Sequence, residues 1–214
     1  MAEGTEAAVA TDPAPAPFAG CQKVPDRRLT LYIRRNFLDP ETCAALVHRI
    51  DADRRPSLVA DSNGDPFYRT SETCMLDPQD PLVARVDAML DAIAGQPHAH
   101  GEQIQGQRYG PGQEFRWHTD YYEPDGPDFE RFCRVGGQRT WTLMVYLDVP
   151  EEGGATRFRR INKTIQPETG KLVAWHNLDA RGRPNFETLH AGMKVYRGVK
   201  HVITKWYRER PLTA

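Results

Sequence analysis

The sequence predicts a mainly β domain with flanking helices. From Gln103 onward, short β-prone segments alternate with turn signals, and breakers such as Gly110-Pro111-Gly112 and Arg197-Gly198 stand where hairpins should turn. So many short strands at this spacing favour a sandwich, barrel or jelly roll over a parallel sheet. The predicted strands of this region are Ile104–Tyr109, Phe115–Tyr121, Thr140–Asp148, Ala155–Phe158, Lys163–Ile165, Lys171–Trp175, Thr188–Ala191, Lys194–Tyr196 and Lys200–Tyr207.

The part before Gln103 supplies a tail, one strand and two helices. Residues 1–24 are rich in Ala, Pro and Gly, which predicts a disordered tail ahead of a domain over 25–214. Leu29–Ile33 alternates as a strand does. Two helices are predicted over Pro40–Ile50, which follows a capping aspartate, and over about Pro81–Ile93.

Two stretches show no regular period. Residues 55–78 are expected to form a loop. Residues 122–139 form a long polar insert, and loops of that length are usually functional or mobile. A lid over the substrate is one interpretation of this insert.

Composition excludes several classes of partner. The chain has 214 residues, 39% hydrophobic and 27% charged, with a net charge of −1, as expected of one soluble globular domain. This balance predicts neither a nucleic acid nor a membrane partner. The first twenty residues lack a secretory signal, and the four cysteines form no Cys-x-x-Cys pair. We therefore expect reduced thiols and a cytoplasmic location.

A short His-x-Asp motif marks the candidate chemistry. His118 and Asp120 are two residues apart, so in an extended strand both side chains leave the same face. They would supply two ligands of a 2-His-1-carboxylate triad for Fe(II). His190, on a late β-prone segment, is the candidate third ligand. Taken alone, such a pair is more often an ordinary polar feature of a solvated strand.

Lys200 follows His190 by ten residues and could enter the same barrel mouth across the turn at Arg197-Gly198. A lysine facing a β core is costly unless its charge is paired. A bound dicarboxylate would provide that pairing. Taken alone, a lysine in such a segment is more often a surface lysine.

Several separated motifs together resemble the prolyl 4-hydroxylase type of Fe(II)/2-oxoglutarate-dependent dioxygenase. The likeness covers roughly residues 28–209. The motifs stand in this order: His118-x-Asp120, Tyr146-Leu-Asp-Val-Pro-Glu-Glu-Gly-Gly-Ala-Thr156-x-Phe158, Trp175-His-Asn177-Leu, and His190-Ala-Gly-x-x-Val195-x-x-Gly198-x-Lys200.

The resemblance implies a double-stranded β-helix (jelly-roll) core and a set of cofactor contacts. Iron would be held by His118, Asp120 and His190. The distal carboxylate of 2-oxoglutarate would be bound by Lys200, Tyr109 and Thr156. The implied reaction couples hydroxylation of a substrate C–H bond to conversion of 2-oxoglutarate and O2 into succinate and CO2, with ascorbate as an activator.

The resemblance also implies substrate contacts, though less firmly. Arg139 begins a strand facing the metal and is the favoured catalytic side chain outside the ligands. Phe115 departs from the pattern, because that branch usually has tyrosine there, and this admits a different substrate. The remaining matched positions of the peptide or proline pocket are Arg69, Ser71, Glu102 and Trp206.

The favoured interpretation is a hydroxylase of prolyl residues in a peptide or protein. One alternative is the same chemistry on a free amino acid or other small metabolite. Another is a non-catalytic jelly-roll module for binding or sensing. The sequence leaves the oligomeric state open.

Overall fold

In a computed structural model, which describes residues 16–57 and 68–212, the chain forms two antiparallel sheets packed face to face. The helices are α1 (Pro40–Ala52), α2 (Pro81–Ala94) and α3 (Phe129–Cys133), with 3-10 turns at His98–His100 and Phe186–Thr188. The strands are β1 (Gln22–Lys23), β2 (Leu31–Arg34), β3 (Arg55–Pro56), β4 (Glu72–Met75), β5 (Gln105–Tyr109), β6 (Phe115–His118), β7 (Arg139–Tyr146), β8 (Glu152–Gly153), β9 (Thr156–Phe158), β10 (Lys163–Ile165), β11 (Leu172–His176), β12 (His190–Gly192), β13 (Val195–Arg197) and β14 (Lys200–Arg208).

The strand order is that of a jelly roll, as predicted. The major sheet runs β1-β2-β11-β7-β14-β5-β4-β3, and the minor sheet runs β10-β9-β12-β6. Strands β13 and β8 form a separate two-stranded sheet. One apolar core lies between the sheets, and a second lies between the major sheet and helices α1 and α2.

Strand β14 shows how the major sheet separates these two cores. All nine of its residues are buried, and they alternate between the two faces. Lys200 and Trp206 line a cavity between the sheets, whereas Ile203 and Tyr207 pack in the core under the helices. Every second side chain of this strand therefore faces that cavity.

Local sequence explains how the helices begin and how closely they pack. Asp39 and Asp80 cap α1 and α2, each accepting a backbone N–H of the first turn. Gly106 in β5 permits close packing of α1, because a Cβ there would lie 2.4 Å from Cγ1 of Ile50. Arg49 of α1 also pairs with the Asp80 cap at 2.7 Å, which ties the two helices together.

The ordered fold begins before the predicted boundary at residue 24. Phe18 is 6% exposed and stacks on Tyr32 with ring centroids 4.6 Å apart. Gln22–Lys23 pairs with β2. The tail prediction was therefore wrong for residues 16–24, whose aromatic side chain joins the helix-side core. Residues 1–15 lie outside the described part of the chain.

Two predicted loops contain regular structure. Strands β3 and β4 lie within the region 55–78 and extend the major sheet at its edge. Both are too short or too polar to show a period of two in the sequence. Helix α3 lies inside the insert 122–139. Residues 58–67 of the first region lie outside the described residues.

Two further expectations concern a membrane partner and the state of the cysteine thiols. None of the helices in 16–57 and 68–212 has the length and apolarity that crossing a membrane requires. All four cysteines are free thiols, and three of them are buried.

Candidate metal and cosubstrate site

Neighbouring strands of the minor sheet bring the three predicted metal ligands together. Strands β6 and β12 pair with His118 opposite His190. The Nε2 atom of His118 lies 3.7 Å from Oδ1 of Asp120, and that of His190 lies 3.9 Å from Oδ2. Two imidazoles and one carboxylate therefore converge on one point, as a 2-His-1-carboxylate site requires.

Backbone carbonyl groups orient both imidazoles. Nδ1 of His118 lies 2.7 Å from the Arg116 oxygen, and Nδ1 of His190 lies 2.9 Å from the Thr188 oxygen. Each Nδ1 therefore carries the proton and donates it, which leaves the Nε2 lone pair free for a metal.

A buried hydrogen-bond chain fixes the carboxylate. Thr142 donates its hydroxyl to Oδ2 of Asp120 at 2.7 Å, and the Asn177 amide donates to the Thr142 hydroxyl at 2.9 Å. Both supporting residues are fully buried. The roles of these two residues were not predicted from the sequence. The available signal was their position in or directly after strands facing the core.

The charge balance of the triad fits a cation. Burial, followed by the nearby His190, lowers the pKa of His118 to about 3, so its imidazole is neutral near pH 7. Asp120 is 7% exposed, and no lysine or arginine in the described residues pairs with its carboxylate. A buried, uncompensated carboxylate is costly. A divalent metal ion would supply the missing positive charge.

A narrow inner cavity of about 40 Å³ extends from the triad to Lys200. Lys200 is 2% exposed, and its Nζ donates to the Gly154 carbonyl at 3.0 Å and lies 4.3 Å from the centre of the Tyr109 ring. No described carboxylate pairs with it, and burial lowers its pKa to about 7. An anionic ligand would stabilise this ammonium group.

Strand register sets the length of the inner cavity. On β12, His190 stands opposite Phe158 and Gly192 stands opposite Thr156. A Cβ on Gly192 would lie 3.7 Å from Nζ of Lys200. The metal end and the lysine end are thus one same-face repeat apart, about 7 Å. That separation suits a five-carbon dicarboxylate that chelates a metal at one end.

Tyr109 and Thr156 also line this cavity. The Tyr109 hydroxyl donates to Oε1 of Gln107 at 3.3 Å, and the Thr156 hydroxyl accepts from Tyr146 at 2.5 Å. The structure therefore places all three predicted cosubstrate residues around one cavity. Gln107, which was not predicted from the sequence, lines the cavity as well.

A wider outer cleft of about 590 Å³ opens beyond the triad. The inner cavity and the outer cleft share five lining residues, which are Arg69, Phe115, His118, Asp120 and Trp206. The cleft wall is rich in aromatic side chains, which also include Tyr68, Trp117, Tyr121, Tyr122, Phe132 and Phe186.

Arg139 lies in the wall of the outer cleft, held by Glu102. The guanidinium donates to both carboxylate oxygens of Glu102, at 2.7 and 2.6 Å. The guanidinium carbon Cζ of Arg139 lies 4.0 Å from the Trp206 ring centre, and Nη1 lies 3.4 Å from the backbone oxygen of Asp120. Arg208 donates to the same Glu102 at 2.9 Å. Arg208 had not been identified from the sequence.

The other predicted substrate residues surround Arg69. Arg69 donates to Ser71 at 2.9 Å and lies over the Phe115 ring at 4.9 Å. Phe115 in turn stacks on His118, with centroids 3.5 Å apart. Ser71 and Glu102 are not among the residues that line the two cavities. They hold Arg69 and Arg139, and their direct contact with substrate stays a prediction.

Comparison with known proteins agrees with this geometry. The family described as the 2OG-Fe(II) oxygenase superfamily matches residues 104–208, which include the triad and Lys200. The rat prolyl 4-hydroxylase subunit alpha-1 is 34% identical over 145 residues, 67% of this chain and 27% of its own length. This chain thus spans about a quarter of the length of that relative.

Solved structures give the same fold. The 2OG complex of the viral collagen prolyl hydroxylase from Paramecium bursaria Chlorella virus-1 has a TM-score of 0.64 and 28% identity, covering 83% of this chain and 95% of that one. A Trichoplax adhaerens prolyl hydroxylase, in complex with a hypoxia inducible factor peptide, has a TM-score of 0.62 at 15% identity, covering 84% and 83%. At that identity it supports the fold alone.

The chain belongs to the 2OG-Fe(II) oxygenase superfamily. Within it, the chain is similar to prolyl 4-hydroxylases.

Proposed function

We propose that the protein is an Fe(II)- and 2-oxoglutarate-dependent hydroxylase of prolyl residues in a peptide or protein. One observation carries this proposal: among the described residues, a buried carboxylate with no lysine or arginine ion pair lies between two imidazoles, and a buried lysine with no carboxylate partner lies at the other end of the same cavity. An iron ion and a dicarboxylate would together neutralise both charges.

Each residue then has a defined task. His118, Asp120 and His190 would hold Fe(II), while Lys200, Tyr109 and Thr156 would bind the distal carboxylate of 2-oxoglutarate. Bound iron supplies the oxidation chemistry, in which O2 converts 2-oxoglutarate to succinate and CO2 and hydroxylates a C–H bond. The protein side chains orient both reactants and exclude water. Ascorbate as an activator, and a cytoplasmic location, remain predictions from the sequence.

The outer cleft supports a peptide as the substrate. At about 590 Å³ it is much wider than the inner cavity, and its aromatic wall suits the flat face of a proline ring. Arg139 would orient the substrate at the metal, because its guanidinium lies beside both Asp120 and Trp206. The polar insert contributes Tyr122 and Phe132 to this wall, which supports its proposed role in covering the substrate.

Two alternatives retain the same site. Phe115 brings no hydroxyl to the wall next to His118, so a free amino acid or small metabolite is the second candidate substrate. A binding or sensing module is the third candidate function, and the complete ligand set argues against it.

Succinate formation with Fe(II), ascorbate and 2-oxoglutarate tests these candidates. Stimulation by a proline-rich peptide, with one oxygen atom added to proline, is the expected result. Succinate formation that responds only to free amino acids or small metabolites would favour the second candidate. Binding of 2-oxoglutarate without any succinate would favour the third. Asp120→Ala should lose turnover, and unchanged hydroxylation in that variant would contradict the assigned metal site.

A further inference from the structure

Two tryptophans that line the inner cavity, Trp175 and Trp206, have a buried indole N–H without a hydrogen bond within the described residues, and Trp206 lines the outer cleft as well. The indole Nε1 of Trp175 is buried and makes no hydrogen bond within the described residues. The residue is 1% exposed, and its ring lines the inner cavity. An unsatisfied buried donor carries a desolvation cost. A ligand in the cavity could remove that cost.

Trp175 lies at the metal end of the cavity. Its ring meets His190 edge to face, with centroids 4.8 Å apart, and meets Phe158 in the same way at 5.3 Å. In the major sheet it pairs with Thr142, the residue that donates to Asp120. Lys200 lies at the other end of the cavity, beside Gly192.

We propose that the indole N–H of Trp175 donates a hydrogen bond to the metal-chelating oxo-acid end of bound 2-oxoglutarate. This inference rests on the proposed function and adds a positioning residue to it. Lys200 would select the distal carboxylate, and Trp175 would orient the opposite end. The indole N–H is suited to this task, since it is a donor that carries no charge and cannot compete as an acceptor.

The test compares 2-oxoglutarate binding by the full-length chain and its Trp175→Phe variant, with Mn(II) in place of iron so that no turnover occurs. Phenylalanine retains an aromatic ring and removes the N–H. Trp141→Phe is the matched control, because Trp141 packs on the helix side of the major sheet, against Phe18.

The expected result is a dissociation constant for 2-oxoglutarate raised about tenfold to a hundredfold in Trp175→Phe, the range for a hydrogen bond to a charged group. The affinity for Mn(II) should stay within about threefold, and the Trp141→Phe control should bind both as the wild type does. A 2-oxoglutarate affinity unchanged in Trp175→Phe would overturn the proposal.

A spectroscopic readout on the wild-type protein covers the case in which Trp175→Phe fails to fold or to bind Mn(II). The chain has four tryptophans, so its indole N–H signals can be assigned by replacing Trp117, Trp141 and Trp206 in turn. With Zn(II) bound, the Trp175 signal should move downfield on saturation with 2-oxoglutarate. A signal that stays in place would overturn the proposal.

The two proposals fail in different ways. If the wild-type protein with Mn(II) does not bind 2-oxoglutarate, the proposed function itself fails and this inference falls with it. If the wild type binds 2-oxoglutarate but neither readout responds to Trp175, only the present inference fails.

Discussion

The hydroxyl of Thr142 lies 2.7 Å from Oδ2 of Asp120 and donates a hydrogen bond to it. The same hydroxyl accepts from the Asn177 amide. The carboxylate is therefore held in one rotamer before a metal binds. Supporting contacts of this kind usually change metal affinity as well as geometry.

Thr142→Val should weaken metal binding, because it removes this hydrogen bond and retains the branched shape. We expect the Mn(II) affinity to fall about tenfold to a hundredfold, measured by electron paramagnetic resonance of the free ion. Thr140→Val is the matched control on the same strand, since its hydroxyl donates to the Tyr207 carbonyl instead. Equal metal affinities in both variants would contradict the assigned role of Thr142.

Lys200→Met should weaken 2-oxoglutarate binding by about a hundredfold or more, because a buried charge-assisted contact is lost. Mn(II) affinity should change by less than about threefold, since the lysine pairs with none of the metal ligands in the described structure. Lys171→Met is the control, because Lys171 is a buried lysine that pairs with Glu168 instead. Parallel losses of metal and cosubstrate affinity would show that Lys200 is structural.

Cosubstrate affinity should depend on pH through Lys200. Its pKa in the free protein is about 7, and only the charged form attracts a carboxylate. The dissociation constant for 2-oxoglutarate should therefore rise above about pH 7, approaching tenfold per pH unit. Titrations between about pH 6 and pH 9 would show this rise. A constant affinity over that range would contradict it.

The free energy of unfolding should show the matching dependence. The pKa of Lys200 falls from its ordinary value of 10.5 to about 7 in the folded protein. Between these values the unfolded chain binds more protons, so stability should rise with pH across this window. Lys200→Met has no titrating group at this position, so its stability should lack this rise. In denaturant titrations without ligand, the unfolding free energy of the wild type minus that of the variant should therefore increase with pH across this window.

Arg139→Lys should impair peptide hydroxylation more than cosubstrate binding. Lysine cannot reproduce the two hydrogen bonds to Glu102 or the stacking on Trp206. We expect a KM for the peptide raised about tenfold or more, with the 2-oxoglutarate affinity unchanged. Arg183→Lys is the control, an exposed arginine that makes a similar paired contact to Asp179. An unaltered peptide KM would remove Arg139 from the substrate site.

Sequence reasoning worked best where chemistry depends on short spacings and strand alternation. His118 and Asp120 were recognisable from their spacing of two residues, although β6 ends at His118 and Asp120 lies just beyond the strand. Strand alternation also explains why His201, the residue after Lys200, faces the other side of the sheet, where it pairs with Asp148. The family resemblance supplied Tyr109 and Thr156, which no local pattern would have selected, and it agreed with the choice of His190 as the third ligand.

The sequence failed where a contact depends on partners far along the chain. Residues 16–24 were interpreted as tail because their composition is that of a linker, yet Phe18 packs on Trp141 across the core. Strand β4 shows no alternation in its sequence, yet it pairs with β5 on one side and with β3 on the other. In both cases long-range packing outweighs local composition.

By itself, the sequence determined the β-rich class, the helix starts and the residue types able to bind iron and a dicarboxylate. Only the tertiary structure decided that Asp120 has a hydrogen-bond donor in Thr142. It also decided that, among residues 16–57 and 68–212, Lys200 has no carboxylate partner and the Trp175 N–H has no hydrogen bond. The physical reason is that burial and charge balance belong to the assembled sheets, since each depends on groups that only the fold brings together.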